Sequence, residues 1–210
     1  MKSKVIFIRH GITEGNLKKW YYGSADLPLS DHGFDQVREL CEKNVYPEIP
    51  EHADCYTTGL TRTEQTFNLI YGDREHGHID NLKEMNFGVY ECKSFEELKD
   101  DPVFLKWGYD EEGDVVLPEG ESRNMFFARI KKGLKELLAK HHLKEIELRH
   151  KDEDAVTVMV CHGGVITTIM NLLFPDEREN PWSWMPDPGY GYIVEFTDGE
   201  ATGYEKITEK

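Results

Sequence analysis

The chain has 210 residues, of which 39% are hydrophobic and 31% charged, and its 40 acidic against 25 basic side chains give a formal charge of −15. This composition predicts a folded chain with a core of ordinary size and excludes a mainly disordered one. The acidic balance argues against nucleic-acid binding, which needs clustered Lys and Arg. A small anion can still bind where a few cations are concentrated at one site.

The longest N-terminal apolar stretch, residues 5–8, is closed by Arg9. A membrane span needs about 20 apolar residues and a signal-peptide core about 7–15. The sequence therefore predicts a soluble cytoplasmic protein without membrane association. Four scattered cysteines without a C-x-x-C pair favour reduced, mostly buried thiols over a metal or redox site. They are Cys41, Cys55, Cys92 and Cys161.

Hydrophobic patterning predicts strands that alternate with helices. Residues 4–8 are apolar without alternation, as in a strand covered on both faces, and a helix follows Ser30, a good N-cap residue. Next come a strand over 53–57, a helix over 60–71 and a strand over 78–82. Residues 88–148 predict a helical insertion, with short helices over 95–98 and 104–107 and a long one after Ser122.

The last third of the chain completes this pattern. The pair His141-His142 is interpreted as a helix end, and the charged residues 145–154 as a surface loop. A buried strand over 155–160 and a helix over 165–174 follow, and then two strands over 190–196 and 201–207 that flank the turn Asp198-Gly199. The predicted fold is a three-layer α/β/α sandwich in a single domain over 1–210, with a mostly parallel sheet, one antiparallel edge strand and the helical insertion.

Three of the predicted strands end near residues that suit an anion. Two of them deliver a histidine followed by glycine, His10 and His162, and a third leads to Arg62 at a helix start. Arg9 directly precedes the first histidine. In α/β sheets, ligands bind beyond the carboxyl ends of the strands, where helix N-termini also lie. We expect two imidazoles and two guanidiniums to meet there, and a phosphoryl group fits the planar Arg side chain.

These residues lie in sequence blocks that resemble the histidine phosphatase superfamily, in its phosphoglycerate mutase-like branch. The first block is Arg9-His10-Gly11-x-Thr13-x-x-Asn16. The others follow in family order: Pro28-Leu29-Ser30-x-x-Gly33-x-x-Gln36, Leu60-x-Arg62-x-x-Gln65-Thr66, Glu84-x-x-Phe87-Gly88, Pro118-x-Gly120-Glu121-Ser122 and His162-Gly163-Gly164-Val165-Ile166. Together the blocks cover nearly the whole chain, which makes the resemblance specific.

The resemblance implies a role for each site residue. His10 is the nucleophile that becomes phosphohistidine, and Glu84 donates a proton to the leaving group. The phosphoryl group is bound by the remaining positions, Arg9, Asn16, Arg62, His162 and Gly163. The implied activity is a metal-independent, histidine acid phosphatase-type hydrolysis of a small phosphorylated metabolite, without a cofactor. Physical chemistry agrees, because a neutral imidazole is a good nucleophile and arginines stabilise charge on the transferring group.

Glu84 carries the strictest requirement, because it must hold a proton in order to act as an acid. A phosphate dianion beside it and partial burial both favour the protonated carboxyl. We therefore expect its protonation to increase when substrate binds.

Two other interpretations of the function stay open. A cofactor-dependent phosphoglycerate mutase would return the phosphoryl group to substrate instead of to water, and such mutases tend to be longer than 210 residues. The second is a non-catalytic relative that binds phosphate or protein, against which the complete set of five chemical positions argues. Sugar phosphates, nucleotide-like precursors such as α-ribazole phosphate and phosphoglycerates all remain candidate substrates. The oligomeric state is not determined by the sequence.

Two further motifs resemble sites with other chemistry. Asp152-x-Asp154-x-Val156 has the spacing of aspartate-nucleophile phosphatases, but its aspartates precede a strand instead of following one, which places them at the wrong end of the sheet. His76-x-His78 would form a metal-binding pair on a strand, and a polar loop is the favoured interpretation.

One segment departs from the family pattern. After Phe87-Gly88 the family commonly has Trp-Glu-Gly, where this chain has Tyr90-Glu91-Cys92. The lost glycine puts the loop conformation beyond Glu84 in question. Selectivity is expected from the helical insertion and from the segment Glu121-Ser122; the candidates in the insertion are Phe104, Trp107, Tyr109, Met125, Phe126 and Phe127. The aromatic segment Pro181-Trp182-Ser183-Trp184-Met185-Pro186 forms either a substrate-facing lid or packing.

Overall fold

The structure is a computed structural model that describes residues 2–151 and 153–209. Its strands are β1 (Lys2–Arg9), β2 (Trp20–Tyr21), β3 (Asp54–Thr57), β4 (Gly77–His78), β5 (Lys93–Ser94), β6 (Ala155–Cys161), β7 (Gly191–Thr197) and β8 (Glu200–Ile207). Six strands form the central sheet in the order β4-β3-β6-β1-β7-β8, and β2 pairs with β5 separately. Strands β4, β3, β6 and β1 are parallel, while β7 is antiparallel to both β1 and β8.

Helices cover both faces of the sheet. They are α1 (Glu14–Leu17), α2 (Asp31–Glu42), α3 (Thr61–Tyr71), α4 (Phe95–Leu98), α5 (Pro102–Gly108), α6 (Arg123–Leu148) and α7 (Gly163–Leu173). The predicted α/β fold with a mostly parallel sheet is confirmed. Its antiparallel strand β7 lies one position inside the sheet, and β8 forms the edge.

Alternate residues of β1 pack into two separate cores, as the two-residue period of a strand requires. Ile6 and Ile8 contact the cluster that includes Phe67 of α3. Val5 and Phe7 contact the larger cluster, to which α6 and α7 contribute. Both faces of this strand are therefore dry, which explains its run of apolar residues without alternation.

The local signals that begin and end the elements work as predicted. Ser30 caps α2 by accepting a hydrogen bond from the Gly33 N–H, and Ser122 caps α6 in the same way. Asp198 and Gly199 both have positive φ, 52° and 85°, which suits the tight turn of a hairpin. Among the described residues, none of the helices combines the length and the apolar character needed to span a bilayer.

Two predicted elements are wrong. Residues 78–82 do not continue as a strand: β4 ends at His78, and Asp80–Leu82 forms a 3-10 turn, because Asp and Asn favour turns. Residues 145–148 are not a loop, and the His141-His142 pair is not a helix end, since α6 runs on to Leu148. The helix continues because Leu148 is fully buried while its charged neighbours face solvent.

The segment 88–148 holds α4, α5 and α6, and α6 packs against β6 and α7. The proposed division into one domain with a helical insertion stays a prediction. Asp152 of the rejected aspartate motif lies outside the described residues. Asp154 is exposed and directly precedes β6, at the amino end of that strand.

Candidate active site

The parallel pairing of β1 with β6 brings the two predicted histidines together. Arg9, the last residue of β1, pairs in register with Cys161, the last residue of β6. His10 and His162 each follow directly, and their ring centroids lie 5.3 Å apart. Residues 152 positions apart in sequence thus become neighbours at the carboxyl edge of the sheet.

A cavity of about 510 Å³ opens at this edge. Four of the five predicted catalytic side chains line it: Arg9, His10, Arg62 and Glu84. The fifth, His162, lies behind this lining against His10 and Arg62. The structure therefore brings all five together, and it concentrates two guanidiniums in one cavity of a strongly acidic chain.

His10 is oriented by one hydrogen bond. Its Nδ1 lies 2.7 Å from the Gly11 carbonyl oxygen. A carbonyl can only accept, so Nδ1 carries the hydrogen and the neutral ring keeps its lone pair on Nε2. Burial, with the nearby charges of Arg62 and Arg9, holds the pKa of His10 well below its usual value. The imidazole is therefore neutral, as a nucleophile must be.

His162 uses both ring nitrogens within the protein. Its Nδ1 accepts from Arg62 Nε at 3.3 Å, so its Nε2 donates to the Thr58 hydroxyl at 3.0 Å. Thr58 in turn lies 3.1 Å from the Thr63 hydroxyl. Burial and the charge of Arg62 lower the pKa of His162 well below its usual value. This chain fixes the tautomer and orientation of the ring.

Arg62 is fully buried in the first turn of α3. Its two terminal nitrogens donate to the carbonyl oxygens of Ala25 and Gly23 at 2.8 and 2.7 Å, and its guanidinium lies over the Tyr22 ring at 5.1 Å. Carbonyl groups hold the cation in place without neutralising its charge. That charge stays available for an anion.

Glu91 fixes the loop that positions Arg62. Its carboxylate accepts hydrogen bonds from the backbone N–H groups of Gly23, Ser24 and Ala25 at 2.9–3.1 Å. Two of these residues provide the carbonyls that hold Arg62. Glu91 is the residue retained from the family's Trp-Glu-Gly.

The missing glycine of that motif leaves a backbone feature. Cys92 adopts a φ of +60°, in the left-handed region that favours glycine. The loop keeps the conformation that glycine would allow, at a steric cost.

Arg9 and Glu84 complete the polar wall. Arg9 donates from Nη1 to the Pro186 carbonyl at 2.7 Å, and its buried Nε has no partner within the described part of the protein. Glu84 accepts from the Met85 and Gly164 N–H groups at 3.0 and 2.9 Å. Each carboxyl oxygen keeps a second lone pair that can take a proton.

Asn16 and Gly163, the two remaining predicted phosphate contacts, have other roles in the structure. Asn16 lines the cavity, but its Oδ1 accepts from the Thr13 N–H and hydroxyl in the capping box of α1. A Cβ at Gly163 would lie 3.0 Å from Arg9 Cζ, so this glycine lets the guanidinium approach the start of α7.

The rest of the cavity lining is mainly aromatic. Its aromatic side chains are Trp20, Tyr21, Tyr22, Phe87, Trp107, Phe126, Phe127 and Trp182. Of the selectivity candidates, Phe104 is buried in the core and Tyr109 and Met125 are exposed outside the lining. The aromatic segment is divided, because Trp182 faces the cavity while Trp184 is fully buried.

Sequence reasoning missed the aromatic wall from β2 and the contribution of Arg123. The consecutive aromatics at 20–22, directly after the first family block, were the available signal. Arg123 had no such signal. Its buried Nε and Nη2 have no partner within the described residues, and its side chain lines the cavity.

The chain is similar in sequence and in fold to several known proteins. The adenosylcobalamin/alpha-ribazole phosphatase of Escherichia coli (strain K12) is 25% identical over 199 residues, covering 93% of this chain and 91% of that protein. A 2,3-bisphosphoglycerate-dependent phosphoglycerate mutase of Bradyrhizobium diazoefficiens is 26% identical over 178 residues, covering 80% of each. The fold matches the alpha-ribazole phosphatase of Shigella flexneri with a TM-score of 0.77 at 22% identity, over 98% of this chain and 96% of that one.

The family model for the histidine phosphatase superfamily (branch 1) matches residues 5–205, which is nearly the whole chain. The sequence blocks, the fold and the paired histidines all lie within that match. The chain is therefore an enzyme that belongs to the histidine phosphatase superfamily.

Proposed function

We propose that the chain is a phosphomonoesterase that transfers a phosphoryl group to His10 and then to water. The observation that carries the proposal is the geometry of His10: its Nδ1–H is held by Gly11, so the Nε2 lone pair is free, and the arginines line the same cavity. In the first step Nε2 forms a bond to phosphorus while the ester P–O bond breaks. In the second, water attacks phosphorus, the P–N bond breaks and inorganic phosphate leaves.

The proton balance assigns a task to Glu84. The leaving oxygen needs a proton as its bond to phosphorus breaks, and a protonated Glu84 supplies it. The same carboxylate then takes a proton from the attacking water, which restores the starting state. The backbone N–H of Gly164 donates to Glu84 Oε2 at 2.9 Å and holds this carboxyl at the edge of the cavity.

Arg9 and Arg62 supply the positive charge that the transferring group requires. Within the described residues, the buried Nε–H of Arg9 has no partner, and Arg62 donates to two carbonyl oxygens and to His162 instead of to a carboxylate. His162 supports this pair through its contact with Arg62. Asn16 lines the same cavity, and Gly163 allows the close approach of Arg9. The arginines take the part that a metal plays elsewhere, so the scheme is metal-independent.

An aromatic leaving group suits this cavity better than a phosphoglycerate does. Stacking on aromatic walls favours a planar ring. Three buried donors on lining residues, Arg123 Nε and Nη2 and Trp107 Nε1, have no partner among the described residues and suit acceptor atoms on such a body. The proposed substrates are therefore nucleotide-like phosphomonoesters, the class to which α-ribazole phosphate belongs.

The mutase remains the second candidate, because one relative is a phosphoglycerate mutase. The two are separated by incubation with 3-phosphoglycerate and a bisphosphoglycerate primer. Formation of 2-phosphoglycerate indicates a mutase, and free phosphate alone indicates a phosphatase.

The test of the proposal uses an aryl phosphate and a panel of ring-bearing and ring-free phosphomonoesters, from mildly acidic to neutral pH. We expect wild type to release phosphate and to show a labelled, acid-labile phosphohistidine after rapid quenching. His10→Ala should lose activity by at least about 10⁴-fold and the label entirely. Activity should persist in chelator, because the scheme uses no metal. It should also persist at mildly acidic pH, because the lowered pKa keeps His10 neutral there. Retained activity in the variant contradicts the mechanism.

A further inference from the structure

Glu64, His76 and His78 form a cluster that the phosphoryl chemistry does not use. Their nearest ligand atoms all lie within 4.8 Å of one another. His76 Nε2 is 2.8 Å from Glu64 Oε2, and His78 Nε2 is 3.3 Å from Glu64 Oε1. None of the three lines the cavity, although Glu64 is two residues beyond Arg62 on α3.

The His76 ring is oriented for a ligand. Its Nδ1 lies 3.0 Å from the Arg74 carbonyl oxygen, so Nδ1 carries a hydrogen and Nε2 is directed at the Glu64 carboxylate. Phe67 packs against the ring with centroids 4.4 Å apart. A nitrogen lone pair and a carboxylate oxygen at 2.8 Å repel each other unless a cation, a proton or a metal ion, lies between them.

The Glu64 carboxylate is also held from behind. The Gly59 N–H donates to the Thr57 hydroxyl oxygen at 3.1 Å, so that hydroxyl directs its own hydrogen to Glu64 Oε1. Outer hydrogen bonds of this kind, one on an imidazole Nδ1 and one on a carboxylate, orient the ligands of metal sites.

His78 leaves the cluster open to solvent. It is the last residue of β4, and its side chain is 54% exposed, against 16% for His76. A Cβ at Gly59 would lie 3.3 Å from His78 Nδ1, so the glycine leaves room for the ring. The open side provides an entry path and a further coordination position.

We propose that Glu64, His76 and His78 bind one divalent transition-metal ion of the zinc class. Two imidazole nitrogens and one carboxylate oxygen are a donor set that zinc accepts with tetrahedral geometry, at bond lengths of about 2.0–2.2 Å. Ligand atoms around such an ion are roughly 3.3 Å apart, as that geometry requires. Here His76 Nε2 lies 2.8 Å from one Glu64 oxygen and His78 Nε2 lies 3.3 Å from the other, with one ligand atom from each residue within 4.8 Å of the other two. The site is independent of the phosphoryl cavity, so its failure would leave the proposed function unchanged.

The test is a calorimetric titration of tag-free protein with ZnCl2 at neutral pH, after treatment with chelator and dialysis. We expect one equivalent to bind and the Tm to rise by about 5–10 °C at a free Zn²⁺ concentration 100 times the Kd. His78→Asn should weaken binding by at least about tenfold. That variant is chosen because the exposed ring contributes little to folding. The matched control is His32→Asn, on the exposed face of α2, which should bind as wild type does.

Two further variants separate this site from other sources of affinity. His10→Ala should bind zinc unchanged, whereas a loss there would assign the ion to the catalytic cavity and overturn the proposal. Glu64→Gln, like His78→Asn, should bind zinc more weakly than wild type does. If wild type, Glu64→Gln and His78→Asn bind zinc with equal affinity, the cluster is only an ion pair. That result also overturns the proposal.

Discussion

Strands β1 and β6 carry a buried histidine network at each end, and the two networks differ in what they leave unpaired. At the amino end, His141 Nε2 lies 2.9 Å from the Ser3 hydroxyl and Nδ1 lies 2.8 Å from the Thr157 hydroxyl. Ser3 donates onward to Glu145 at 2.6 Å. Every member of this network has a partner.

At the carboxyl end, the histidines lie beside the guanidiniums of Arg9 and Arg62, which bond carbonyl oxygens. Among the residues that the structure describes, the buried Nε of Arg9 has no partner. An unpaired buried donor costs about 1–3 kcal/mol, a cost that an incoming anion removes. A buried histidine alone therefore does not mark a site. A cavity with unpaired donors beside the histidine does.

Among the variants that test this comparison of the two ends, Arg62→Lys should have the largest effect. A lysine keeps the charge, but its single nitrogen cannot reproduce the planar set of bonds that three separate nitrogens of Arg62 make to His162, Ala25 and Gly23. We expect kcat/KM for an aryl phosphate to fall by about 10²–10³-fold. Arg38→Lys, at an exposed position of α2, is the control and should change nothing. A loss smaller than threefold in Arg62→Lys would mean that the guanidinium geometry does not matter.

His141→Gln tests the opposite end of the same strands. Removing the ring leaves the Ser3 and Thr157 hydroxyls without their partner, so the free energy of unfolding should fall by about 1–3 kcal/mol. Urea denaturation measures this loss. The variant should keep kcat/KM within about twofold below its Tm, because removal of a purely structural network leaves the reacting groups in place. Impaired turnover with unchanged stability would contradict the division between the two ends.

Both ends contribute to the pH dependence of stability. Burial lowers the pKa of His10, His162 and His141 in the folded chain, while the unfolded chain titrates near pH 6.5. The stabilisation is fully present above about pH 6.5 and is lost as the pH falls below it, because only the unfolded chain then takes up these protons. Urea unfolding across that range should show a shallower slope for His141→Gln than for wild type, by up to about 1.4 kcal/mol per pH unit. Equal pH slopes for wild type and His141→Gln would contradict a contribution of His141 to the pH dependence of stability.

The smallest effect concerns the loop beside the cavity. Cys92 holds φ at +60°, where a side chain costs about 1–2 kcal/mol, partly offset by the greater freedom of glycine in the unfolded chain. Cys92→Gly should therefore raise the free energy of unfolding by about 0.5–1 kcal/mol. Cys92→Ala, which keeps the Cβ, is the matched control and should not stabilise. Equal effects of the two variants would show that the backbone carries no strain there.

The sequence predicted the parts of the site that local patterns announce. His10 and His162 each follow an apolar strand, and Arg62 opens a helix, so their meeting followed from parallel strand order. Trp20 was missed although the aromatic run at 20–22 directly follows the first family block, whereas nothing near Arg123 in sequence indicates that it faces the cavity. The pair His76-x-His78 was recognised, but its third member, Glu64, comes from a separate helix.

What the sequence determined by itself was the alternation of strands and helices, the capped helix starts and the family blocks, because these depend on neighbours a few residues apart. The tertiary structure alone showed that His141 belongs to a fully bonded network, while His10 lines the cavity together with Arg9 and Arg62. It also decided that α6 continues through Glu145, whose charge is satisfied by Ser3 and by His142. Such outcomes depend on partners more than a hundred residues away, and on whether a cavity lies between them.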